Sequence, residues 1–465
     1  MNSCRNPVQV AVLSSYESES VINLSLIDRL LEAGVNFTGF LENQLPQHFS
    51  EELLEYPLLL IDQKSLKSLT AEQRCKLERY AADHFVYCFD YLPETATRMD
   101  INMHMEIWVN HALAVAGLQG DTRNMPEQSP AEQIRFVEER SAKYLAQPEI
   151  PFSEFTVHAL RGMNPDSESL GTILAALFDR QDIDQLPPHH DALAAWMYAP
   201  LCSELTGEKR HAERFLQVMD KIMQRRPYTP EGILAGSGDI SDPLNFNGEF
   251  PSLANYTTGG RMVVDLEMFH FHAPLFASAA RMSHNPVFLD QLARLMRHLR
   301  TVNCDPVDHL PCHYSRNGMR HGAKWSRGTA HVLHGLTLTL EMWPEIPLRG
   351  ELVAWADSIG EGLLECQSED GCWHNILDIP ITPLETSGTM AFLCSFGALI
   401  KKGLLEEEKY GGMIERARHA LLRRCWRGGF AGNCAGTGLA PGMDYYVRRP
   451  FNFLFTGQLA AALRV

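Results

Sequence analysis

The stretch "RMVVDLEMFHFHAPLF", residues 261–276, decides how this chain is read. Set on a helix, Asp265 has Arg261, Met262, Met268 and Phe269 three and four places away, with His272 two turns on. A carboxylate in such company loses hydration, and an ionised one without a partner is costly to bury. An apolar helix that keeps an aspartate points to chemistry: such a carboxyl group holds its proton near neutral pH and can act as an acid.

Outward from this stretch, the chain beyond about residue 150 reads as helix after helix. Apolar periodicity predicts them over 190–205, 209–225, 261–281, 286–301, 328–343, 350–366, 388–403 and 411–424. Many begin after a turn signal and finish near glycine or proline. A loose repeat, "TPEGIL", "SEDGCW" and "RGGF", follows successive helices. Recurring helix pairs of this kind form a solenoid or a closed ring. A barrel of paired helices is the expected form, with inner helix ends around one pocket where helix N-termini favour anions. Periodicity alone leaves the open solenoid standing.

The first 95 or so residues differ. "VQVAVLSS" (8–15), "PLLLID" (57–62) and "FVYCFDY" (85–91) are short apolar runs of buried-strand type, alternating with helical patterns at 21–34 and 70–84. Such alternation predicts a small parallel α/β domain. It resembles the amidotransferase-like, flavodoxin-type modules attached to some carbohydrate enzymes. Neither a Gly-rich phosphate loop nor a nucleophile elbow is present, so a structural role or homo-oligomer formation is expected of it. The expected division is an α/β domain over 1–98, a helical connector over 99–149 and a helical barrel over 150–465.

Composition narrows the function classes. The 465 residues carry 41 basic against 57 acidic side chains, a formal charge of −16, which argues against nucleic acid or an anionic membrane as partner. No run approaches the roughly 20 apolar residues of a membrane span. The start lacks a secretory signal, and the 11 cysteines are odd in number and without a CxxC pair, so a cytoplasmic location is expected.

Against that acidic background, residues 309–340 contain no Asp or Glu but do contain Arg316, Arg320, Lys324 and Arg327 among histidines that include His313, His331 and His334. Guanidinium groups grip carboxylates in two-pronged fashion, so this segment is a candidate lining for an anionic substrate, or else a solvated basic loop. Trp325 offers a flat face suited to a sugar ring. Asp191, ahead of "ALAAWMYAPL", is either a helix-start aspartate or an acidic partner of Asp265. The Gly-rich stretch 432–450 reads as a loop carrying Tyr445, Tyr446, Arg448 and Arg449 towards a pocket mouth. His270 and His272 diverge on a helix while His331 and His334 share a face, and no HExxH or Cys/His quartet accompanies them; no metal site is read.

Four motifs then occur in order: "KWSRGTAHVLHGL" (324–336), "DGCWHNILDIP" (370–380), "LETSGTMAFLCSFGALIKKGLL" (384–405) and "GTGLAPGMDYYVRRPFN" (436–452). Together they resemble the unsaturated rhamnogalacturonyl and glucuronyl hydrolases, glycoside hydrolase families 105 and 88, over about 185–465. The resemblance implies an (α/α)6 barrel. It also implies removal of a terminal 4,5-unsaturated uronic acid from a small acidic oligosaccharide, without a cofactor. It makes Asp265 the proton donor and Asp191 the second acid, and puts His313, Trp325 and Arg327 in the substrate pocket. An exo-uronidase on saturated sugars, or a non-catalytic sugar-binding barrel, are the alternatives. The family pattern breaks at three places. His331 stands where a tryptophan is usual, the segment between "TPEG" and Asp265 is longer, and the α/β domain is additional.

Overall fold

The computed structural model describes residues 8–14, 35–41, 58–83, 85–89, 129–146, 152–163, 165–184, 191–236, 263–382, 384–426, 428–434, 439, 443–447 and 451–465. At the N-terminal end, β1 (Val8–Ser14), β2 (Val35–Leu41), β3 (Leu58–Asp62) and β4 (Phe85–Phe89) pair in parallel in the order β2-β1-β3-β4. Helices α1 (Gln63–Ser68) and α2 (Ala71–Asp83) carry the chain from β3 to β4, the crossover a parallel pair needs. Three of the strands, and α2, lie where the apolar runs predicted them. β2, "VNFTGFL", is the exception, because Asn, Thr and Gly interrupt its apolar run. The helix expected over 21–34 lies outside the described residues.

From residue 130, outer and inner helices alternate. Outer α3 (Pro130–Leu145) precedes inner α4 (Glu154–Met163), and outer α5 (Ser167–Asp179) precedes an inner 3-10 helix (Asp191–Tyr198) that runs into α6 (Ala199–Thr206). Outer α7 (Lys209–Arg225) leads to inner α8 (Glu267–Ser283), and outer α9 (Pro286–His298) to inner α10 (Ser326–Met342). Outer α11 (Arg349–Cys366) leads to inner α12 (Thr386–Lys401). Outer α13 (Glu407–Leu422) leads, past the short α14 (Met443–Val447), to inner α15 (Gln458–Leu463). Successive inner elements pack side by side, and α15 packs back on α4. The ring closes, which removes the open solenoid.

Burial patterns follow from these positions. Outer α7 buries His211, Phe215, Val218, Met219 and Ile222, a single stripe at helical spacing. Inner α8 is buried without a break from Met268 to Ala280, as a helix enclosed on all sides must be. Where α8 meets α10 the backbones nearly touch: a Cβ on Gly335 would lie 2.9 Å from His270 Cα. Helix α3 was expected in a connector, yet it packs on α4 and α15 as the first outer helix of the barrel. The earlier part of the expected connector, from 99 to 128, lies outside the described residues.

Small ladders precede three inner helices. β5 (Val263–Asp265) pairs with β6 (Tyr314–Arg316), which pairs with β7 (Met319–His321); β8 (Trp373–His374) pairs with β9 (Leu384–Glu385). They mark the barrel mouth at the N-terminal ends of α8, α10 and α12.

The N-terminal sheet also takes strands from the far end of the chain. β10 (Cys425–Trp426), β11 (Gly429–Cys434) and β12 (Phe451–Phe455) form an antiparallel set, and β12 joins β2 through Phe451 opposite Thr38. The sheet thus has seven strands, so residue 98 is no boundary of it, and the stretch read as a loop over 432–450 begins in a strand. No helix among the described residues is long and apolar enough to cross a membrane.

Candidate active site

Asp265 is not on a helix. It is the last residue of β5, and its Oδ1 accepts the Met268 amide at 2.9 Å in the first turn of α8. The helical neighbours drawn around it from sequence are therefore the wrong ones. A three-residue strand running straight into a helix is too short to show its own period. The burial expected of it holds, at 2% exposure.

The β5–β6 ladder sets Asp265 opposite Tyr314, and the His313 carbonyl accepts the Leu266 amide at 3.1 Å. His313 is fully buried, with Nδ1 2.8 Å from the Tyr446 hydroxyl and Nε2 3.0 and 3.1 Å from the two carboxylate oxygens of Glu267. A carboxylate only accepts, so Nε2 donates. Burial alone would raise the Glu267 pKa, but His313, through charge and hydrogen bond, and His331, through charge, bring it down to about 2. Glu267 is an anion at the barrel mouth. Gly322 makes room for this arrangement: it has φ +78°, and a Cβ there would fall 2.6 Å from the Tyr446 hydroxyl.

His313 was expected to meet a uronate carboxylate; both its ring nitrogens are instead engaged by Tyr446 and Glu267. Trp325 packs on His313 with ring centres 4.8 Å apart, and the Arg327 guanidinium carbon lies 4.8 Å from the indole centre. At 2% exposure Trp325 has no open face for a sugar, which corrects its expected stacking role. Half-buried Arg327 heads α10 and remains at the mouth.

Lys324 is also displaced from its expected role. Its ammonium group pairs with Asp308, with Asp378 at 3.2 Å and with Asp305 at 3.5 Å. Burial would lower its pKa, but these carboxylates hold it raised. The segment without acids finds two of them just before its own start, at Asp305 and Asp308, and the third on the distant Asp378.

Asp191 opens the inner 3-10 helix, which neighbours α8 in the ring. Tyr445 lies on α14 beside Tyr446, while Arg448 and residues 237–262, most of the longer segment, lie outside the described residues. His331 is half-buried, with Nδ1 2.8 Å from Nδ1 of His270. Burial, with the charges of His270 and Arg327, lowers its pKa to about 3, so the ring is neutral near pH 7. Glu267 escaped the sequence reading because an acid in a first helical turn is ordinary. The signal for it was its place two residues after Asp265.

The profile of the family described as Glycosyl Hydrolase Family 88 matches residues 179–463. Among solved structures, a possible GH105 family member from Salmonella enterica has a TM-score of 0.58 at 16% identity, covering 74% of this chain and 95% of its own. One from Klebsiella pneumoniae has a TM-score of 0.54 at 19% identity, covering 71% of this chain and 80% of its own. An unsaturated glucuronyl hydrolase responsible for glycosaminoglycan degradation, from Bacillus sp. GL1, has a TM-score of 0.51 at 15% identity, covering 72% and 95%. Those likenesses establish the α/α-barrel fold. No curated protein matches the chain. With its profile spanning well over half of the sequence, the chain belongs to glycosyl hydrolase family 88.

Proposed function

We propose that this hydrolase removes the terminal 4,5-unsaturated uronic acid from oligosaccharides released by polysaccharide lyases. The observation that carries the reading is Asp265, buried where β5 meets inner helix α8, with Arg327 heading the next inner helix. Family membership and the fold shared with the Bacillus enzyme support it.

The unsaturated sugar is a vinyl ether. Protonated Asp265 donates its proton to C4, and positive charge develops at C5, shared with the ring oxygen. Water adds to C5 and returns a proton to the Asp265 carboxylate. The hemiketal then collapses, the aglycone leaves and no cofactor takes part. Asp191 holds ring hydroxyls and tunes Asp265, and Arg327 binds the uronate carboxylate by charge-assisted hydrogen bonds. Glu267, held as an anion by His313, places negative charge beside the developing cation. The strand order β2-β1-β3-β4 fits a flavodoxin-type module, supporting an amidotransferase-like ancestry for residues 1–98.

Incubation with lyase-generated oligosaccharides and with their saturated counterparts tests the proposal. Loss of the C4=C5 absorbance, with the saturated sugars untouched, is the expected result. Cleavage of the saturated sugars alone assigns direct glycosidic hydrolysis instead, and binding without turnover removes catalysis.

A further inference from the structure

Past the Asp265 mouth, polar side chains from α4, α8, α10 and α15 converge inside the barrel. Glu154 Oε1 lies 2.8 Å from His270 Nε2 and 3.1 Å from His158 Nε2. Gln458 Nε2 lies 3.0 Å from His158 Nε2 and 3.2 Å from His334 Nε2. One ligand atom from each of Glu154, His158 and His334 falls within 4.8 Å of the others. We propose that Glu154, His158 and His334 form a binding site for a divalent transition-metal ion of the zinc type. The Gln458 carbonyl or a water completes the coordination, and His270 holds Glu154 from outside.

The donor set comes first. Two imidazoles and one carboxylate suit zinc and its neighbours rather than magnesium or calcium, which take oxygen ligands. Ligand atoms about 2.0–2.2 Å from a tetrahedral ion lie about 3.3–3.5 Å from one another. The Glu154–His158 separation of 3.1 Å is already near that, and the widest gap closes by little more than small side-chain rotations. Glu154 and His158, four places apart on α4, share one helix face.

The Glu154 carboxylate lies between the rings of His270 and His158. With the Gln458 nitrogen facing inward, the hydrogen bonds conflict at His158 Nε2. A proton on His158 Nε2 suits Glu154 but meets the Gln458 N–H; a lone pair there suits Gln458 but faces the carboxylate. Turning the Gln458 amide to present its carbonyl removes the conflict, and in that orientation a cation held by the two imidazole lone pairs gains a further oxygen donor. His270, donating from Nε2 to Glu154, is the hydrogen-bonded partner that metal-binding groups usually keep.

An access path exists from the other end of the barrel. A cavity of about 610 Å³ is lined by His158, His334 and Gln458, and extends past Arg161 and Glu341 to Lys401, at the C-terminal ends of α10 and α12. The ion therefore enters opposite the mouth that holds Asp265. Arg161, one of the cations in the wall, pairs with Glu341 at 3.9 Å.

The test is titration of the chelator-stripped full chain with Zn2+ by calorimetry, and with Co2+ by visible absorption. One equivalent of each should bind at micromolar concentration or tighter, with the intense Co2+ bands of a four-coordinate site. Outer partners alone are worth about 10- to 100-fold in affinity, so His334→Ala should lose more than about 100-fold. The chain has 19 histidines and 11 cysteines, so the difference between variants is the deciding quantity. Glu154→Gln, which preserves shape, should weaken binding, and Gln458→Glu, which adds a carboxylate, should tighten it. These two carry the test if circular dichroism shows His334→Ala unfolded. Absence of binding, or affinities unchanged in Glu154→Gln and Gln458→Glu, overturns the proposal.

Discussion

Two polar regions lie along the same barrel axis and are built in different ways. The mouth region takes Asp265, Glu267, His313, Trp325 and Arg327 from short segments where ladders meet helix starts. The inner region takes one or two residues from each of four helices, and the Gln458–His158 contact joins positions 300 apart. Helices α8 and α10 serve both and run the same way, since Gly328 lies against Leu266 and Gly335 against His270. His331 is the link, bonded to His270 and within 6.4 Å of Trp325. Chemistry concentrated at helix starts leaves a local pattern in the chain. Chemistry gathered from four separate helices leaves none until the ring closes.

The sharpest way to break this contrast is at Asp265. Asp265→Asn keeps the Oδ1 acceptor for the Met268 amide but cannot supply the proton. Turnover of unsaturated substrate should fall by about 100- to 10,000-fold with unchanged circular dichroism. Near-normal activity in the folded variant would falsify the assignment. Arg327→Ala follows, with a loss of about 1.5–3 kcal/mol for uronate substrates from one charge-assisted contact. The guanidinium also covers Trp325, so some stability goes with it; kcat/KM for uronate relative to a neutral sugar is the measure, and an unchanged ratio makes Arg327 structural.

Lys324 should behave in the opposite sense. Lys324→Met leaves Asp305, Asp308 and Asp378 facing one another, at a stability cost of about 1–2 kcal/mol. The preference for uronate should not move; a collapse of that preference would return Lys324 to the pocket. A smaller change is expected from His331→Trp, which restores the family's residue but breaks the bond to His270. The ratio of kcat/KM between aglycones should shift by about 10-fold, the low end for one apolar contact. A fixed ratio places His331 outside the substrate path.

How much the chain disclosed follows the same division. Outer helices such as α7 were legible by their apolar stripe and inner ones such as α8 as long apolar runs, whereas the shorter inner helices α4 and α15 were not read. Asp265 stood out because an acid in an apolar run is costly. Its strand was hidden by brevity, and the seven-stranded sheet by distance, since Phe451 meets Thr38 across most of the chain. Lys324 was misread because composition within a window is blind to Asp305, Asp308 and Asp378 around it. Trp325 was misread because a tryptophan's period shows only that it is apolar, not whether it faces solvent. His331 and His334 were correctly set on one face, where both rings meet His270, at 5.0 and 4.8 Å between centres. That Glu154 and His158 complete the group is a fact of ring closure, which local spacing does not carry.

The last prediction concerns Glu267 and separates the regions by pH. Its folded pKa of about 2 lies below the value of about 4.3 expected in an unfolded chain. A depressed carboxylate pKa contributes stability that is fully present above the unfolded value and is lost as pH falls through the folded one. The contribution should therefore fade between about pH 4.3 and pH 2. Glu267→Gln removes the ionisation but keeps an acceptor for His313 Nε2. In urea unfolding at a series of pH values, wild type should exceed the variant in stability at pH 6, and the gap should narrow steadily below about pH 4.3. Binding of metal at the inner region should be unaffected by the substitution at pH 7, since none of the proposed ligands touches Glu267. A gap that stays constant down to pH 3 would mean that His313 does not hold Glu267 ionised. The Tyr446–His313–Glu267 chain would then be packing rather than electrostatics.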